Sequence, residues 1–124
     1  MDEGDGVLAS RVEVVAVAEV EGLLAAAGAG APFSPAEVAY AEAKSDPARR
    51  LAARLAAKRA AAQLLGGGVS AADVEVVRGA YGPPALRLSD RGRERLRELG
   101  AARLLVSLTH ERSQAAALVV MVSA

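Results

Sequence analysis

With 15 basic and 15 acidic side chains in 124 residues, the chain has no net charge, and so no overall field with which to collect nucleic acid or an anionic membrane. Hydrophobic residues make up 52% and charged residues 24%, the balance of a soluble globular chain, which excludes extensive disorder and a membrane class. The absence of cysteine excludes disulfides, thiolate zinc sites and a cysteine nucleophile.

Residues 12–20, VEVVAVAEV, are Val-rich with partial alternation and predict a strand running into a helix at the Ala and Glu residues. Helical composition continues from Glu19 to Ala27 and stops at GAGAP, where Gly28, Gly30 and Pro32 break any regular element. Ser34, Pro35 and Glu37 form a capping-box signature for a helix from Pro35 to about Lys44. The clearest element runs from Pro47 to Leu65, with Asp46 as its expected cap, Pro47 at the first helical position and Gly66 to Gly68 as its stop. Leu51, Leu55, Ala62 and Leu65 lie along one side, and Arg50, Arg54 and Lys58 form a basic row beside them, so the spacing predicts an amphipathic helix.

After the glycines, Ser70 and Asp73 precede a strand-like VEVV, and Tyr81-Gly82-Pro83-Pro84 makes a turn into ALRL, a second strand. Ser89 to Leu99 reads as a charged helix ended by Gly100. The remainder, ARLLVSLTHERSQAAALVVMV, predicts a strand, a polar turn and a final strand. Helices and strands without strict alternation point to an α+β fold in a single domain over residues 1–124. Phe33, Tyr40 and Tyr81 are the aromatic residues, so the core is expected from Leu, Val and Ala, with Phe33 and Tyr40 packed in it. A core of that kind is marginal alone, which predicts self-association. The acidic start lacks the basic and apolar regions of a secretory signal, and Ala115 to Val122 is too short to span a bilayer; a cytoplasmic protein with no membrane partner is expected.

Three segments in order resemble the holo-acyl-carrier-protein synthases, the small trimeric branch of the 4′-phosphopantetheinyl transferases. FSPAEVAYAEA (Phe33 to Ala43) is similar to the family's Phe-Thr-x-x-Glu-x-x-Tyr helix. PARRLAARLAAKRA (Pro47 to Ala60) resembles its long helix ending in Ala-Ala-Lys-Glu-Ala, and the triple Gly its following loop. VSAADVEVV, GPPALRL and VSLTHERSQAAALVV resemble the later strands. The resemblance implies one long helix packed on a small, mostly antiparallel sheet, a homotrimer, and transfer of the phosphopantetheine arm of coenzyme A to an acyl carrier protein with Mg²⁺.

Magnesium takes hard oxygen ligands, usually one or two carboxylates plus substrate phosphate. The family supplies an Asp on the first strand, in Asp-Ile-Val-Glu-Ile, and the Glu of Lys-Glu-Ala. Here the corresponding residues are Ser10, in Ser10-Arg11-Val12-Glu13-Val14, and Arg59, in Lys58-Arg59-Ala60. Gln63 replaces a basic residue, and Ala16 the Arg that follows the first-strand motif. Placing Glu13 itself at the Asp position is an alternative alignment that still leaves Arg59. On the first alignment a divalent ion is disfavoured, no metal ligand is assigned, and no cofactor is required, although coenzyme A or a phosphopantetheine arm remains a ligand.

The resemblance places Arg54, Lys58, Gly66, Gly67 and His110 at the coenzyme. Arg54 and Lys58 otherwise read as a solvated basic face, Gly66 and Gly67 as a helix stop, and His110 as a structural histidine. Two functions follow. One is a family member without Mg²⁺-dependent transferase activity that binds an acyl carrier protein or pantetheine-bearing ligand in polyketide or fatty-acid biosynthesis. The other is a metal-free cyclase, isomerase or dehydratase acting on a carrier-tethered polyketide intermediate, with His110, Lys58 and Arg59 as acid, base and oxyanion stabiliser. An active synthase with relocated ligands is the third possibility.

Overall fold

The computed structural model describes residues 6–27, 32–78 and 82–123, so Gly28, Gly30 and Tyr81 lie outside the described residues. The Val-rich segment forms strand β1 (Val7–Ala16) and passes without a loop into helix α1 (Val17–Ala27). The backbone N–H of Val17 is kept from being orphaned at this junction by donating to the Ser113 carbonyl at 2.9 Å. Helix α2 (Pro35–Glu42) starts at the expected capping box, in which Ser34 Oγ accepts from Glu37 N and Glu37 Oε1 accepts from Ser34 N.

Helix α3 (Pro47–Leu65) is the axis of the molecule. Its Ala-rich sequence favours helix and gives it a slim profile, so other elements can close on it from several sides. Residues 51–58 are all buried, so the alternative reading of Arg54 and Lys58 as a solvated basic face does not hold: both lie inside. Asp46 also differs from expectation. It makes no side-chain capping bond and instead accepts from Arg50 Nε at 3.1 Å, which holds its carboxyl below the ordinary range.

Beyond Gly66–Gly68, a 3₁₀ turn (Ala71–Asp73) leads into an antiparallel ribbon of β2 (Val74–Arg78) and β3 (Pro84–Leu88). Helix α4 (Asp90–Glu98) follows, capped by Ser89 Oγ, which accepts from Gly92 N and donates to Asp73 Oδ1. Asp73 thus ties the start of β2 to the start of α4. Strands β4 (Arg103–His110) and β5 (Gln114–Val122) complete a three-stranded antiparallel sheet in the order β1-β5-β4. The fold is α+β with every strand pair antiparallel, as expected, although divided between two small sheets.

One face of the three-stranded sheet packs on α3. Alternation buries Ala115, Ala117, Val119 and Met121 of β5 and Val15 of β1 against Leu51, Leu55, Ala56 and Leu65. Each buried leucine contributes roughly 1.5–3 kcal/mol. The opposite face remains apolar and open, with Val12 61% and Val14 56% exposed beside Leu105 and Leu118. Among the described residues no helix is long and apolar enough to cross a membrane.

Candidate functional site

The two α3 cations expected at a ligand are buried in different ways. Lys58, 2% exposed, donates from Nζ to Glu37 Oε1 at 2.7 Å. The Glu37 side chain also accepts from Ser34 N at Oε1 and from Val76 N at Oε2, both at 2.8 Å. One buried carboxylate therefore joins α2, α3 and β2. The capping-box signature located Glu37 as a local cap; its long-range role was not visible, because nothing in the spacing says that Lys58 and Val76 converge on it. Lys58 also borders a cavity of about 330 Å³ shared with Phe33, Ser34 and Glu75.

Arg54 is 3% exposed and stacks over the Tyr40 ring at 3.9 Å from its centroid, with Arg78 at 6.0 Å. Tyr40 is thus a half-exposed platform for cations, in contrast to the core residue expected; Phe33, 4% exposed, does pack in the core. Burial would raise the phenol's pKa, but the charges of Arg54 and Arg78 outweigh it and pull it down. Burial likewise lowers the pKa of Arg54. Its Nε is buried without a hydrogen-bond partner, and the side chain borders a cavity of about 320 Å³ with Tyr40, Arg78, Arg87 and Glu75. An unsatisfied guanidinium N–H beside Arg78 and Arg87, the latter paired with Glu75 at 3.4 Å, has the donors and the excess positive charge to meet an anion.

Arg59 turns away from this cavity. It pairs with Glu19 of α1, its side chain 35% exposed, and its hydrogen bond holds the Glu19 carboxyl below the ordinary range. Ser10 is elsewhere. Alternation along β1 sends Ser10, Val12 and Val14 to the open face of the sheet, whereas Glu13 and Val15 turn toward α3. The two positions expected to share a metal centre therefore do not face one another within this chain, and the acid on the α3 side of β1 is Glu13, which pairs with Arg11 at 3.2 Å. Among the described residues no group of three or more His, Cys, Asp or Glu converges closely enough to hold a metal ion.

His110 closes β4 on its more buried face, with Nδ1 buried and unpartnered. Neighbouring Glu111 is engaged with Ser113, whose hydroxyl donates to it at 2.6 Å, so it does not orient the imidazole. No hydrogen bond or ion pair joins His110, Lys58 and Arg59 among the described residues. The glycine loop is occupied by guanidinium groups of α4: Arg95 donates to the Leu65 carbonyl at 2.6 Å and Arg91 to that of Gly67. Gly66 and Gly67, both at φ 60°, allow this approach; a Cβ on Gly67 would lie 2.6 Å from Arg95 Nε. No spacing in the chain singles out these arginines, because a C-terminal carbonyl can be met by any cation in reach.

No protein-family model matches the chain. It is 40% identical over 123 residues to the holo-[acyl-carrier-protein] synthase of Anaeromyxobacter sp. (strain K), covering 93% of this chain and 95% of that relative. Its fold superposes on the crystal structure of the holo-[acyl-carrier-protein] synthase from Neisseria meningitidis with a TM-score of 0.82 and 26% identity, covering 94% and 98% of the two chains. The ACPS–CoA complex from Chronobacterium ammoniagenes gives 0.71 and 26%, over 94% and 98%.

Proposed function

The chain belongs to the holo-[acyl-carrier-protein] synthase family, and we propose that it binds coenzyme A or another pantetheine-bearing ligand, and an acyl carrier protein, without performing Mg²⁺-dependent phosphopantetheinyl transfer. The observation that carries this is the Arg59–Glu19 pair. It sets a permanent cation on α3 where the family's Lys-Glu-Ala motif has a carboxylate, and it engages the Glu19 carboxylate. A divalent ion would have to displace a guanidinium, and the donor set does not fit it. Anion binding is retained by the Arg54, Tyr40 and Arg78 cluster, which suits a ligand phosphate, with His110 and the Gly66–Gly67 turn as further contacts. Lys58 acts through Glu37 on the wall of the adjoining cavity. The open Val12, Val14, Leu105 and Leu118 face is the contact between copies in a homotrimer, and the setting is polyketide or fatty-acid biosynthesis.

A second reading, an active synthase, is favoured by the 40% identity over nearly the whole chain. The fold lends it a route. If Glu13 takes the first-strand acid position, the residue at the place of the family's following Arg becomes Glu19, the partner of Arg59. The acid and the base have then exchanged helices, and Glu13 with Glu19 would supply the oxygen ligands.

One experiment separates the two. Purified protein is incubated with apo carrier protein, coenzyme A and Mg²⁺, and the carrier is weighed by mass spectrometry. The proposal expects no added phosphopantetheine, but saturable binding of coenzyme A that Arg54→Ala weakens. A carrier that gains the phosphopantetheine mass overturns it and establishes the synthase; loss of that gain in Glu19→Gln would place the ligand on α1.

A further inference from the structure

Beside the Arg54 cavity, with Val77 and Arg87 lining both, β3 and β4 run side by side without forming a strand pair, and a slot opens between them under α4. Its volume is about 400 Å³, within the range of small-molecule sites. The walls are aliphatic, including Leu86, Leu96 and Leu104, and the rim carries Arg87, Arg93 and Arg103 with no acidic residue in the lining. Arg93 is committed to the Leu88 carbonyl and Asp90, and Arg87 reaches Glu75 at 3.4 Å. Arg103 is exposed and makes no side-chain hydrogen bond or ion pair among the described residues.

We propose that this slot is a second binding site, for a single-chain anionic amphiphile: an alkyl chain between the leucines and a carboxylate or phosphate head on Arg103 and Arg87. Leucine walls without an aromatic ring offer nothing on which a base or other flat ring could stack, and they suit a flexible alkyl chain. Guanidinium groups on the rim match planar, bidentate oxyanions. In a chain with no net charge, three arginines around one apolar opening are a local feature and not part of a general basic surface.

The test is methyl NMR on Leu- and Val-labelled protein titrated with decanoate, decyl phosphate, 1-decanol and inorganic phosphate. Expected are saturable shifts at the Leu86, Leu96 and Leu104 methyls with decanoate and decyl phosphate, and weaker or no binding of 1-decanol and inorganic phosphate. Arg103→Ala, an exposed change that leaves the fold intact, should weaken the binding by about tenfold, the worth of one charge-assisted contact. A preference for decyl phosphate identifies a phosphate-headed lipid as the source, and a preference for decanoate a fatty acid; either supports the site. The proposal is overturned if 1-decanol binds as tightly as decanoate, if Arg103→Ala leaves the affinity unchanged, or if the shifts fall instead on Val12, Val14 and Leu118. None of these readouts involves coenzyme A or a carrier protein, so failure here is distinct from failure of the proposed function.

Discussion

Replacing Lys58 by Met keeps most of the side-chain volume and removes the ammonium, leaving the Glu37 carboxylate at 0% side-chain exposure with two backbone N–H donors as its remaining partners. Burial of both partners means that water cannot restore the lost contact, and breaking such a pair costs about 3–5 kcal/mol. Against a total stability of about 5–15 kcal/mol for a domain, that is roughly a fifth or more of what holds the chain folded. Urea unfolding followed by far-UV circular dichroism should show the midpoint falling with little change in slope. Glu37→Gln is expected to be costly as well, since it strands the ammonium. In Lys58→Met/Glu37→Gln the two losses should overlap by about 2 kcal/mol, because the second substitution removes a charge the first had already left unpaired. A single Lys58→Met loss below about 1 kcal/mol, or strictly additive losses, would show that the pair is not what joins α2, α3 and β2.

At Gly67, φ 60° and the seat of Arg95 act together, so Gly67→Ala should destabilise by about 1–3 kcal/mol, whereas Gly22→Ala, in α1 with nothing within 4 Å of the added methyl, should stabilise by roughly 0.5–1 kcal/mol; thermal melts compare them directly. The Glu19 carboxyl is held below its ordinary value of 4.5 chiefly by its hydrogen bond to Arg59, so its stabilisation is complete above that value and is lost as pH falls through the lower folded value. Glu19→Gln should therefore cost about 0.2–1 kcal/mol at neutral pH, as for a partly exposed pair, and nothing at the acid end; an equal loss at both ends would contradict the pairing. Val14→Glu puts a charge on the open sheet face without touching the core, and if that face is the subunit contact proposed above, sedimentation should show a smaller species than the parent while circular dichroism stays unchanged. A variant that sediments as the parent would overturn the proposed contact on this face.

Much of the fold was legible because its signals are local. Pro47 at a helix start and Gly66 at its stop bound α3 at the residues observed, and the Ser34–Glu37 box starts α2 where expected. What was not legible depends on direction. A basic row at positions 50, 54 and 58 reads as a solvated face if a helix has one buried side; α3 is buried around most of its girth because alanines let sheet and helices close on it, and its cations had to find Glu37 and Tyr40 inside. The same problem governs the site. Motif matching put Ser10 and Arg59 together because the family motifs do so, but a strand has only two faces, and alternation sends Ser10 to the open one and Glu13 toward α3. Against the family motif the charge expected on α3 is still inverted, with Arg59 in the place of a carboxylate, and its partner is Glu19 of α1. Loss of two acids and exchange of one across a helix pair leave nearly the same sequence trace, and they predict opposite results when coenzyme A, Mg²⁺ and apo carrier protein are mixed.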